Sequence, residues 1–159
     1  MNMTHTKTNR PSWDEYFLQL AAVVASRGSC LRPPQVGAVI VQDKHIIATG
    51  YNGTPHGLPN CNEGGCARCM NRHKGHVSSG ENKDACICIH AEQNAIIQSA
   101  IYGASTEGAT IYTTHSPCTQ CAKMIINSKI KRIVYQQAFE KDPGALEVLA
   151  QAGLELKKA

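Results

Sequence analysis

The chain has 159 residues, 42% hydrophobic and 18% charged, with a formal net charge of +4. That suits one domain (1–159) with a real core and argues against wholesale disorder, and no dense basic stripe for duplex nucleic acid is visible. No apolar run nears the roughly 18 residues of a membrane span, and MNMTHTKTNR lacks the apolar stretch of a signal peptide, so a cytoplasmic protein with no membrane partner is expected.

In chain order, Ser12-Trp-Asp-Glu15 is a capping-box pattern opening an amphipathic helix with Phe17, Leu20, Ala21 and Val24 on one face, ending near Gly28. VGAVIV (36–41) and HIIATGY (45–51) predict two strands joined at Asp43-Lys44 as a hairpin. Residues 52–89 show no sustained periodicity but hold six Gly, two Pro and five Cys. A structureless segment of that length inside a compact domain needs something to tie it down, and a metal would do so. Residues 91–102 read as a helix with Ala95, Ile96 and Ser99 towards a core, and ATIYTT (109–114) as a strand. Ser116-Pro117 suits the cap and first turn of a helix running to Ser128. A strand at 132–136, a helix opened by Asp142-Pro143 and reaching about Ala152, and a short strand at 154–157 complete the pattern. The alternation predicts a three-layer α/β/α sandwich around a mixed sheet of about five strands.

The eight cysteines of a chain in a reducing compartment point to metal or catalytic chemistry rather than disulfides. Cys118-x-x-Cys121 offers two thiolates from one helical turn, at a helix start that favours the ionised sulfur. His90 would complete three protein ligands and leave zinc one open position. Glu92, two residues on, would stand beside that position and carry protons, the arrangement of zinc nucleobase deaminases. Taken singly the parts are weaker. A histidine at a helix start also serves as a cap, and a lone Cys-x-x-Cys also reads as a redox pair.

The motifs VGAVIV (36–41), GYNGTPHGLPNC (50–61), HAEQNAI (90–96), GATIYTT (108–114), SPCTQCAKMII (116–126) and IKRIVY (130–135) resemble the cytidine and deoxycytidylate deaminase superfamily, and in particular the dCMP deaminases. The resemblance runs from about Trp13 to Leu156 and implies a cytidine deaminase-like fold. It implies hydrolysis of dCMP to dUMP and ammonia, supplying dUMP for dTMP synthesis. His90, Cys118 and Cys121 would hold the catalytic zinc and Glu92 would shuttle protons. The Ala91 N–H and Ser116 carbonyl would meet the base edge. Asn52 matches a sugar-hydroxyl contact, or else is a turn residue before Gly53. Tyr135 walls the base pocket or packs in the core. Arg27, Arg32 and Lys123 are the cations considered for the 5′-phosphate.

The resemblance further implies a second, structural zinc in the 52–89 insertion, on Cys30, Cys61, Cys66 and Cys86. Cys69 or Cys88 are alternates, and His73 or His76 could replace one thiolate. It implies a homo-oligomer, a hexamer, with dCTP activating and dTTP inhibiting through a Mg2+-bound triphosphate near Tyr51 and Gly53. The helix after HAE, with Gln98-Ser-Ala-Ile101, departs from the regulated pattern. Rival readings are a tRNA adenosine or other nucleobase deaminase, a zinc-ribbon binding module on the 61–69 cysteines, and a redox protein on Cys118–Cys121.

Overall fold

The structure, a computed structural model, describes residues 10–31, 34–78, 80–82 and 85–159. Helix α1, Trp13–Ala25, starts as its sequence dictates: the Ser12 N–H donates to Glu15 Oε2 at 2.7 Å and the Glu15 N–H to Ser12 Oγ at 3.3 Å. Its buried face is Phe17, Leu18, Ala21 and Ala25, whereas Leu20 and Val24 are only partly covered; the face is turned towards Leu18 relative to the amphipathic reading.

Strands β1 (Gly37–Gln42) and β2 (His45–Tyr51) form the expected antiparallel hairpin. Asp43 and Lys44 take φ of 49° and 64° between them, the two left-handed residues of a tight hairpin turn. After an insertion holding a 3-10 turn (Cys61–Glu63) and the short helix α2 (Ala67–His73), the chain continues through α3 (Ala91–Ile101), β3 (Thr110–His115), α4 (Thr119–Asn127), β4 (Arg132–Gln137), α5 (Gly144–Gln151) and β5 (Glu155–Lys158). The sheet order is β2-β1-β3-β4-β5. β1 is antiparallel to both of its neighbours, and β3, β4 and β5 run parallel.

Strand periodicity sorts the layers. Val39, Val41, Tyr112 and Val134 pack under α1. The intervening Ala38, Ile40, Ile111 and Ile133 pack under α3, α4 and α5 with Ala95, Ile125 and Leu149. Glycine lets the layers touch: a Cβ at Gly50 would run into the backbone of Ala91 and Ala95, so α3 lies directly on β2. Among the described residues no helix is long and apolar enough to cross a membrane.

Two sequence expectations shift. α4 begins at Thr119 with Cys118 as its N-cap, not Ser116. Ser116 is engaged elsewhere: its N–H donates to the Gln137 carbonyl at 2.8 Å and its Oγ accepts from the Phe139 N–H at 2.7 Å. Pro143 is the N-cap of α5, and the carboxylate of Asp142 turns back to α4, accepting from Thr119 N at 2.8 Å and Thr119 Oγ1 at 2.7 Å.

Beneath α1, Asp14 receives a bidentate pair from Arg132 (2.8 and 2.9 Å), Lys157 Nζ (2.7 Å) and the Tyr112 hydroxyl (3.0 Å), joining α1 to β3, β4 and β5. The Arg132 guanidinium, with Lys157 and Tyr112 adding to it against the cost of burial, holds the Asp14 carboxyl well below the usual carboxylate range. A depressed carboxyl stabilises the fold above its unfolded pKa of about 3.9 and loses that contribution as the pH falls below it. Asp14→Asn is therefore expected to cost about 1–2 kcal/mol at neutral pH, allowing for solvent screening. In urea titrations the gap from the parent should close as the pH drops below about 4.

Candidate active site

β2 and β3 both run opposite to β1, so their C-terminal ends share one edge of the sheet, where open α/β sheets hold their ligands. α3 follows the first of these ends and α4 the second. His90 is the N-cap of α3 and Cys118 the N-cap of α4, with Cys121 one turn further along. The Gln93 side chain accepts the His90 N–H at 2.9 Å, and Asn94 Nδ2 donates to the Tyr51 carbonyl at 2.7 Å, fixing the start of α3 to the end of β2.

These anchors bring His90 Nδ1 to 3.4 Å from Cys118 Sγ and 3.3 Å from Cys121 Sγ, with the two sulfurs 3.7 Å apart. Zinc bonds of about 2.3 Å to sulfur and about 2.0–2.1 Å to nitrogen, at tetrahedral angles, require separations of about 3.8 Å between sulfurs and about 3.5 Å between sulfur and nitrogen. The donor set fits the ion. The hydrogen bond with Cys121, aided by His90 against the cost of burial, lowers the Cys118 thiol to about 4, so it is ready to ligate as thiolate. The contact with Cys118 in turn raises the His90 imidazole.

Glu92 is the second residue of α3, 4% exposed, with Oε2 at 3.6 Å from Cys121 Sγ. Burial pushes its carboxyl up. A cation on the three donors would pull it back down. A cavity of about 180 Å³ opens over this group, lined by Asn52, His90, Ala91, Glu92, Ser116 and Cys118 together with Pro34, Val36, Arg72, His115 and Phe139.

Most of the residues expected from the sequence are therefore gathered in one place. Asn52 serves both of its readings: Oδ1 accepts the Val36 N–H at 2.9 Å, and the residue also lines the cavity. Tyr135 instead lies in the core cluster below α3 and α4, on an inward-facing strand position. Arg27 and Lys123 are exposed and do not line the cavity, and Arg32 falls outside the described residues. Sequence reading missed His115 and Phe139. The signal was topological: both lie at or just past the C-terminal ends of β3 and β4, the strands parallel to β2. It also missed Arg72, which α2 carries in from the insertion.

The insertion is closed at its neck by paired hydrogen bonds between Gly53 and Ile89, of 3.2 and 2.8 Å. Inside it the sulfurs group differently from the expected Cys30, Cys61, Cys66 and Cys86. One set of mutually close sulfurs is Cys30, Cys61, Cys69 and Cys88, and the other is Cys66, Cys69, Cys86 and Cys88. The α2 turn places Cys69 beside Cys66, and alternate residues 86 and 88 face the same way, a juxtaposition that spacing alone does not order. His73 and His76 belong to neither set. Tyr51 and Gly53 line a separate polar cleft of about 480 Å³ with Thr54, His56, Asn94 and Gln98.

The sequence matches the family described as "Cytidine and deoxycytidylate deaminase zinc-binding region" over residues 11–137. It is 40% identical over 149 residues to the deoxycytidylate deaminase of Schizosaccharomyces pombe, covering 94% of this chain but 44% of that protein. It is 41% identical to the deoxycytidylate deaminase of Mycobacterium phage D29, covering 80% of this chain and 96% of that one. The fold aligns with a crystal structure of dCMP deaminase from the cyanophage S-TIM5 in complex with dCMP and dUMP, at a TM-score of 0.75 and 30% identity over 96% of this chain and all of that one. The chain thus spans less than half the length of its fission-yeast relative.

Asp142 fixes the α4 start on which both cysteine ligands sit. Asp142→Ala is expected to loosen zinc at the His90–Cys118–Cys121 set by about tenfold to a hundredfold. Competition for zinc against a chelator, with the circular dichroism unchanged, measures it.

Proposed function

We propose that this chain, which belongs to the cytidine and deoxycytidylate deaminase family, hydrolyses the 4-amino group of dCMP to give dUMP and ammonia, supplying dUMP for dTMP synthesis in the cytoplasm. The observation that carries this reading is the buried Glu92 carboxyl in the same cavity as a three-donor zinc site. That pairing suits hydrolysis of an amidine carbon–nitrogen bond and has no use in a binding module or a redox pair.

A zinc ion on His90, Cys118 and Cys121 supplies, when bound, the Lewis acidity that activates water near neutral pH. Glu92 takes one proton from the attacking water and gives it to N3 of the cytosine. It then takes the second from the new C4 hydroxyl and delivers it to the amine, so that the C4–N bond breaks, C4=O forms and ammonia leaves. The raised carboxyl of Glu92 suits both directions of transfer. Ala91 is the first residue of α3, so its N–H has no partner within the helix and is available to the base carbonyl. The Ser116 carbonyl accepts from the 4-amino group. Asn52, with Oδ1 already bound to Val36, offers Nδ2 to the sugar hydroxyl. Arg72, at the cavity wall, takes the 5′-phosphate in place of the cations considered from sequence. The insertion carries structural zinc.

The polar cleft beside Tyr51 and Gly53 shares no lining residue with the catalytic cavity, which supports a regulatory triphosphate there with Mg2+: dCTP activating, dTTP inhibiting. Exposed Ile97, Ile101 and Tyr102 at the end of α3 support self-association of the chain, for which the resemblance implies a hexamer. No nucleic acid takes part.

Ammonia release measured with dCMP, deoxycytidine, CMP and dCTP tests the reading, with rapid turnover expected for dCMP. Silence on dCMP alongside turnover of another base would overturn the substrate assignment. Glu92→Gln should lower kcat by at least about 10²- to 10⁴-fold while zinc stays bound. Arg72→Ala should cost about tenfold to a hundredfold in kcat/KM for dCMP, mostly in KM, and leave deoxycytidine little changed.

A further inference from the structure

Six of the eight cysteines lie outside the catalytic site, and their arrangement carries more than a single closed zinc site. Cys69 and Cys88 belong to both tetrads, while Cys30 and Cys61 belong only to one and Cys66 and Cys86 only to the other. Each tetrad alone has the four donors of a structural zinc, with all sulfurs within 4.8 Å of one another. A lone ion in either tetrad would leave two cysteines crowded against its thiolates with no partner chemistry. A thiolate sulfur has lone pairs enough to bind two metals at once.

We propose that the insertion holds two zinc ions in one six-thiolate cluster, with Cys69 and Cys88 bridging the ions, Cys30 and Cys61 completing one, and Cys66 and Cys86 completing the other. The inference deepens the reading that the insertion carries structural zinc, and it is independent of the reaction catalysed.

The distances agree with this arrangement. The Cys69 and Cys88 sulfurs are 3.5 Å apart, Cys69 and Cys86 are 4.0 Å apart, and Cys61 and Cys88 are 3.2 Å apart. A four-membered ring of two zincs and two bridging sulfurs, with bonds of about 2.3 Å and this sulfur separation, puts the metals about 3 Å apart. Charge also favours it. Two divalent ions and six thiolates sum to a net charge of about −2, the same as one zinc with four thiolates, so the second ion neutralises the two extra thiolates formed when their protons leave. Arg68 and Arg72 lie against the cavity that Cys30, Cys69, Cys86 and Cys88 line, and they offset the remaining charge.

The local structure is built for such a cluster. Cys66 caps α2 and Cys69 sits one turn later, so a single helical turn supplies one terminal and one bridging ligand. Cys86 and Cys88, at alternate positions on the returning segment, repeat that pairing, and Cys61 opens the 3-10 turn. Cys30 comes from the body of the domain, after α1, so one of the two ions fastens the insertion to the rest of the molecule. The buried core of the insertion is Cys61, Cys66 and Cys69, with the other three cysteines and Leu31 packed against it. With thiols in place of an aliphatic core, the segment depends on metal for its fold.

The test is the zinc content of the full chain by native mass spectrometry, together with zinc X-ray absorption on the same unmodified protein. Three zincs per chain and a zinc–zinc shell near about 3 Å are expected. Two per chain without that shell would overturn the paired cluster and leave a single structural zinc. One per chain would remove structural zinc altogether, and neither result would touch the deaminase assignment, which ammonia release reads separately. Cys61→Ser and Cys66→Ser should each lower the count. If either leaves it at three with the zinc–zinc shell intact, the shared arrangement is wrong. The absorption measurement needs no variant, so it decides the matter even where a substitution prevents folding.

Discussion

Everything at the catalytic edge depends on two helix starts being held within bonding distance of one ion. His90 and Cys118 are 28 residues apart in sequence, and their donor atoms stand 3.4 Å apart. The sheet makes this possible because β1 is antiparallel to both β2 and β3, so the chain leaves each at the same edge. There α4 starts directly, while α3 starts once the insertion has returned through the Gly53–Ile89 pairing. Each helix start is then fixed by a different device. Gly50 removes the side chain that would keep α3 off β2, Asn94 ties the helix to Tyr51, and Asp142 reaches across from the β4–α5 connection to hold the first N–H of α4. A slip of one residue in either helix would rotate its ligand by about 100° and undo the site.

The domain body and the insertion are stabilised by different physics. The body buries aliphatic strands and helices in two layers, with a polar tie beneath α1 where Asp14 gathers Arg132, Lys157 and Tyr112. The insertion has few apolar side chains to bury, and its interior is sulfur. That division has a functional side, because Arg72 rides on α2 and reaches the catalytic cavity. Whatever orders α2 therefore also sets where the Arg72 side chain stands at the cavity wall.

The catalytic set was legible in the sequence because its members sit at fixed offsets from helix starts. HAE and PCxxC each place donors by local geometry, and local geometry is what a sequence pattern reports. Asn52, Ala91 and Ser116 followed from the same motifs. Tyr135 did not, because a strand residue points to one face or the other according to register, and here its face is the core. The cap of α4 moved from Ser116 to Cys118 for a similar reason. Both side chains suit a helix start in isolation, but Ser116 is claimed by Gln137 at the end of β4 and by Phe139 just past it.

By itself, then, the sequence determined the order of helices and strands, the mixed sheet between two helical layers, and the placing of His90, Glu92, Cys118 and Cys121 at two helix starts. Those properties come from short-range periodicity and spacing. Only the tertiary structure decided which cysteines of the insertion stand together, that Cys69 and Cys88 lie at the centre of both sets, and that Arg72, His115 and Phe139 close the cavity. Those pairings join segments separated by long loops or carried on different strands, and nothing in local spacing constrains how such segments meet. Their arrangement is settled by the packing of the whole domain.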